Sequence, residues 1–191
     1  KTMKKFLVLL CALAIVISFC GCESTNQTEQ TSSIQMENQV DIKESLQLDE
    51  LTVLLVNNSV STFADTLNIM NDYGVTSSEF YDFNSVSINS FSTYTEQMAE
   101  IAEENKSMYF ATANALIAEY GYYLAIGQML NLGDVSYAGE AEEIYSQIAE
   151  HEQSLPEWRI KYLKSIGLTD EEIEQRISEF PLLVEIIHQD K

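Results

Sequence analysis

Glu119, Tyr120, Tyr122 and Tyr123 form the group of side chains whose types and spacing most invite chemistry. Glu119 follows Ala115 and Leu116 in a strongly apolar stretch, so it is expected to be partly buried. A buried carboxylate requires a partner or a raised pKa. The neighbouring phenols can supply hydrogen bonds. Such a group either fixes the interior of a helical bundle or lines a pocket for a cationic or polar ligand. His151 stands in phase with Ile144, Ile148 and Leu155, at the border of an apolar helix face. It is expected to be a hydrogen-bonded histidine at the core's edge and joins the candidate ligand-binding residues.

Other patterns fail on their chemistry. Glu185-Ile186-Ile187-His188 is one Glu-x-x-His unit, whereas a di-iron bundle uses two such units and two further glutamates. Glu185 also lies off the apolar stripe that runs from Ile173 to Ile187. Asp134 to Gly139 resembles the start of a calcium loop, but Ala138 and Tyr145 occupy positions that need oxygen ligands. A loose surface cation site among Glu140, Glu142 and Glu143 is the remaining metal reading. Acidic residues near a helix N-terminus also complement the dipole. No phosphate loop, His-Glu-x-x-His helix or nucleophile elbow is present. The expectation is therefore a protein without cofactor that is not an enzyme.

The start of the chain is more explicit. Lys4-Lys5 is followed by an apolar run from Phe6 to Phe19, then Cys20-Gly21-Cys22. The run is shorter than the roughly 20 residues that span a bilayer, and polar sequence follows, so it reads as a signal peptide starting at Met3. Residues 3–22 resemble the signals of bacterial lipoproteins, whose lipobox ends in a small residue before a lipidated cysteine. Gly21 and Cys22 match that ending, while Phe19 and Cys20 depart from the commoner residues. The resemblance implies cleavage between Gly21 and Cys22, a diacylglyceryl group on Cys22, and lipid anchoring at the outer side of a bacterial cell membrane. Cys11 and Cys20 would leave with the signal, so the mature chain would hold no free thiol and no disulfide. Residues 22–45 are rich in Ser, Thr, Asn, Gln and Glu and read as a disordered tether. Residues 46–191 read as the folded domain.

Charge limits the partners. Lys1, Lys4 and Lys5 precede Cys22, which leaves 7 basic and 30 acidic residues from Cys22 onward, a formal charge of −23. Nucleic acid phosphates and anionic lipid heads are disfavoured; cations and basic proteins are favoured.

The elements that must position these residues are helices. Val53, Val56, Val60, Phe63, Leu67 and Met70 form a stripe at 3,4 spacing that Leu51, Leu54 and Leu55 widen. Gly74 is expected to cap it. Thr76 to Glu79 has capping-box form and starts a short helix or turn, with residues 84–92 left undefined. Phe91, Tyr94, Met98, Ile101, Asn105, Met108, Thr112 and Ala115 continue the helical spacing without a break. Residues 108–132 are apolar nearly all round, which predicts a central buried helix; Glu119 and two asparagines oppose a membrane span. Gly121 and Gly127 are expected to bend it. A helix from Asp134 to Ser154 follows, then a fresh start at Ser154-Leu155-Pro156-Glu157. Gly167 stops that helix, and Thr169 to Glu172 opens the last one, kinked at Pro181. The sum is an all-α antiparallel bundle of about four main helices plus short ones. Two functions fit: a lipid-anchored, non-catalytic protein-interaction module, or a small-ligand or cation receptor built around Glu119.

Overall fold

The structure is a computed structural model that describes the backbone of residues 29–184 and the side chains of residues 42–184. Gly21 and Cys22, the expected cleavage and lipidation residues, and the Glu185–His188 unit lie outside the described residues. The chain divides into two units, Lys1–Glu37 and Asn38–Lys191. Of the first, only the helical backbone from residue 29 is described.

The second unit is an all-helical bundle, with no strand among the described residues. Its elements are the part of α1 (Glu29–Tyr73) from residue 38 onward, α2 (Ser78–Asn105), α3 (Met108–Asn131), a 3-10 turn (Val135–Tyr137), α4 (Ala138–Ser165) and α5 (Asp170–Glu179). Helix α1 runs without interruption through residue 46.

Residues α1 through α4 run alternately up and down, as cross-helix bonds record. The Thr66 and Ser87 hydroxyls meet at 2.9 Å, Asn84 donates to the Leu124 carbonyl at 2.8 Å, and the Tyr120 hydroxyl donates to Glu152 at 2.5 Å. As its apolar composition predicts, α3 is central: Tyr109, Phe110, Ala113, Leu116, Ile117, Tyr120 and Leu124 are all buried. Val53, Val56, Val60 and Phe63 pack on it from α1, Phe91, Met98 and Ile101 from α2, and Ile148 and Leu155 from α4. Leu54, expected to widen the α1 stripe, is instead exposed. Burial of each large apolar side chain is worth roughly 1.5–3 kcal/mol, against about 1 kcal/mol for a helix cap. Packing on α3 therefore sets the architecture, and caps trim its ends.

Several boundaries differ from expectation. The α1–α2 turn uses Gly74 at φ 85°, but Ser77 rather than Thr76 caps α2, accepting from the Phe80 amide. From there α2 is one long helix through the undefined residues 84–92. The stripe read as continuous from Phe91 to Ala115 is broken at Lys106, which adopts φ 43°, and Ser107 caps α3. A two-residue link preserves the 3,4 phase, so periodicity alone passes over it. Pro156 lies inside α4, which does not restart at Ser154; the Ser154 hydroxyl donates to the His151 carbonyl. The bond that Pro156 cannot make is offset by burial of Ile148, Leu155 and Leu163 on the same helix. Gly167 ends α4 at φ 95°, and the Thr169–Glu172 capping box forms as read. Pro181 does not kink a continuous helix: α5 ends at Glu179, and helical backbone resumes at Leu183. Phe180, before the proline, leaves the helical region, and the Asn57 side chain holds the segment by bonding the Pro181 carbonyl and the Leu183 amide.

Gly121 and Gly127 do not interrupt α3. They admit α2: a Cβ at Gly121 would lie 3.0 Å from the Phe91 Cβ, and one at Gly127 would lie 3.1 Å from the Phe80 ring.

Candidate functional site

Antiparallel packing of α3 and α4 sets two adjacent residues of each helix opposite one another. Glu119 meets His151, with Oε2 2.7 Å from Nδ1, and the Tyr120 hydroxyl donates to Glu152 Oε1. The side chains of Glu119 and His151 are 14% and 30% exposed, so this rung sits where the core meets solvent. Tyr120 is buried. Its ring stacks on Phe63 at 4.5 Å, and Tyr123 meets Phe63 edge-on at 5.5 Å and Tyr145 at 5.7 Å. Burial, followed by the Glu152 charge and hydrogen bond, pushes the Tyr120 pKa well above the ordinary tyrosine range. Burial, then Tyr145, raises that of Tyr123.

The fold thus brings Glu119, Tyr120, Tyr123 and His151 together and adds Glu152 and Tyr145. Tyr122 does not belong with them. One residue step of about 100° along the helix from Gly121 turns it outward, where its hydroxyl donates to Glu140 and its pKa is raised by that bond first. A carboxylate at Nδ1 orients an imidazole. Nucleophilic chemistry would also need an activated hydroxyl or thiol, and Ser154, the nearest serine in sequence, is engaged with the His151 carbonyl. The rung therefore acts as a polar tie between α3 and α4 that retains partial access to solvent.

A second cluster was not read from the sequence. Asp49 is fully buried on α1. Arg159 from α4 grips it with two bonds, Nε to Oδ1 at 2.8 Å and Nη2 to Oδ2 at 2.9 Å. Arg176 from α5 donates to Oδ2 at 3.0 Å, and the Tyr109 hydroxyl from α3 donates to Oδ1 at 3.1 Å. The two guanidiniums also bond the Phe180 and Leu46 carbonyls, each at 2.6 Å. Four helices and the C-terminal segment are joined through one carboxylate. Burial, then the Asp49 charge, raises the Tyr109 pKa, and Arg159 opposes them. A usable signal existed. Asp49 stands in phase with Val53, Val56 and Val60, and Arg159 lies four residues from both Leu155 and Leu163. Charges on core-facing positions of opposite sign are candidates for pairing.

Among the described residues, no three His, Cys, Asp or Glu side chains are grouped to hold a metal ion, so the cation reading at Glu140, Glu142 and Glu143 acquires no coordination shell. No helix among them is long and apolar enough to cross a membrane, which includes α3. No protein-family model, curated protein or solved structure matches this chain.

Proposed function

We propose that this chain is a lipid-anchored, extracytoplasmic protein-interaction module that is not an enzyme and that recognises a basic partner. The lipobox-type residues Phe19-Cys20-Gly21-Cys22 support the anchor. The observation that carries the interaction reading is how the interior ionisable groups are used. Asp49 is occupied by Arg159, Arg176 and Tyr109, Glu119 by His151, and Glu152 by Tyr120. Inside the bundle, charge holds helices together, and the acidic excess is left to the surface, where it meets other molecules.

Two measurements test the reading. Cys22→Ala should release the protein from membranes and abolish metabolic labelling by palmitate; retained labelling sinks the anchor. Full-length protein in detergent should capture a basic protein from an envelope extract at low ionic strength and lose it near 1 M salt, where the Debye length falls to about 3 Å. Capture of nothing at low salt removes the interaction reading.

The partial exposure of Glu119 and His151 favours a second reading, a receptor for a small cationic or polar ligand. It requires the thermal midpoint to rise with a metabolite or cation, and that rise to vanish in Glu119→Gln.

A further inference from the structure

The two ends of the bundle differ in charge. Residues 44–105 and 107–158 contain no lysine or arginine. The up-and-down path of the helices therefore gathers Lys43, Lys106, Arg159, Lys161, Lys164 and Arg176 at one end. That end holds the Lys43–Asp49 part of α1, the α2–α3 link, the last turns of α4, and α5. The opposite end consists of the α1–α2 turn, the end of α3 and the 3-10 turn, and it carries carboxylates alone. Asp72, Asp82, Asp134, Glu142 and Glu143 are all exposed there.

Large apolar side chains are exposed at this acidic end, as Met108 is at the other. Tyr73 is 57% exposed, Leu132 66% and Val135 76%, with Tyr81 and Met129 exposed as well. The two segments that carry most of them are joined. The Asn131 side chain donates to the Val75 carbonyl at 2.7 Å and the Ser77 carbonyl at 3.0 Å, which ties the end of α3 to the α1–α2 turn. Leu132 is one residue from that tie and Tyr73 two residues from it. Exposed apolar groups rimmed by polar ones mark contact surfaces, and the single-signed rim specifies the opposite charge in what covers them.

Resting on the interaction-module reading, we infer that this end of the bundle docks a basic, amphipathic segment of a partner protein. The apolar stripe of that segment covers Tyr73, Leu132 and Val135, and its lysines or arginines meet Asp72, Asp82, Asp134 and Glu142. A second copy of this chain would bring two acidic rims together, and anionic lipid is repelled for the same reason. The geometry suits presentation to a partner. From Asp49 at the cationic end to Tyr73 at the acidic end, α1 extends about 36 Å at 1.5 Å per residue.

The probe is a synthetic amphipathic helix of Leu and Lys, with a scrambled peptide of the same composition as control. Each is added to the full chain at about 0.01 M salt, where the Debye length is about 30 Å. The amphipathic peptide should bind and the scrambled one bind more weakly, with hydrogen-exchange protection in residues 72–82 and 129–136. Leu132→Asp/Val135→Asp should weaken binding about tenfold or more. Asp82→Asn/Glu142→Gln, which keeps side-chain shape, should weaken it a few-fold and flatten the salt dependence. Circular dichroism checks that both variants are folded, and the second decides the matter if the first is not.

Protection at the cationic end, unchanged affinity in both variants, or no binding at all overturns the assignment of this surface. So does self-association, or binding to neutral phosphatidylcholine vesicles, that the Leu132/Val135 variant abolishes. None of these results removes the interaction reading, which falls only with the failure of envelope capture.

Discussion

The two ends of this bundle are held by different physics. At the cationic end, one buried carboxylate collects two guanidiniums and a phenol from three other helices. At the acidic end, the ties other than the exposed Tyr122–Glu140 bond are neutral. Asn131 bonds two loop carbonyls, Asn84 bonds the Leu124 carbonyl and Gln128, and Phe80 lies against Gly127. A buried ion cluster is costly to break because its survivors are left charged and unpaired. A neutral tie loses about one hydrogen bond's worth, and its groups can turn to water. Breaking the ties is thus costlier at the cationic end than at the acidic end.

The sharpest way to break this contrast is Asp49→Asn. It leaves Arg159 and Arg176 facing a neutral amide, and the expected loss is about 3–5 kcal/mol in chemical denaturation. A loss below about 1 kcal/mol would show that the cluster is decorative. Next comes the packing between the ends. Gly121→Ala drives a methyl against the Phe91 Cβ, which cannot swing away, and should cost about 1–3 kcal/mol. Gly139→Ala, with nothing within 4 Å, should instead stabilise by up to about 1 kcal/mol through helix propensity. Equal effects at the two sites would remove the close-approach account of α3. Asn131→Ala at the acidic end should cost only about 1 kcal/mol, with faster hydrogen exchange confined to residues 72–78 and 129–136.

The last expectation has no effect at neutral pH. Burial keeps Tyr109 and Tyr120 protonated above the ordinary value of 10.0, at which the unfolded chain gives up its phenolic protons. Above pH 10 the unfolded state therefore binds fewer protons than the native one, and stability falls as pH rises. Phenolate absorbance from these two tyrosines should appear together with loss of helical circular dichroism. Their ionisation in a still-folded protein would show that the two sites are wetter than their burial implies.

Legibility in the sequence followed the kind of signal. Glycine turns at Gly74 and Gly167, the Thr169–Glu172 capping box and the buried α3 are local statements, and each was readable from its own residues. Glu119 and His151 were singled out separately by phase, but their meeting across 32 positions was not derivable from either helix alone. Tyr122 was grouped with its neighbours by adjacency in sequence, and helical rotation separated it from them. The Lys106 break and the continuity through Pro156 were missed for one reason: hydrophobic phase survives a short link, and a proline does not stop a helix that packing holds on both sides.

By itself the sequence determined that this chain is helical and acidic, because helix periodicity and charge count are properties of neighbouring residues. Only the tertiary structure decided which charges are spent inside and which remain outside. Asp49 reaches Arg159 across 110 positions. The sorting of cations to one end depends on the antiparallel return of each helix, a relation among distant segments that no local pattern encodes.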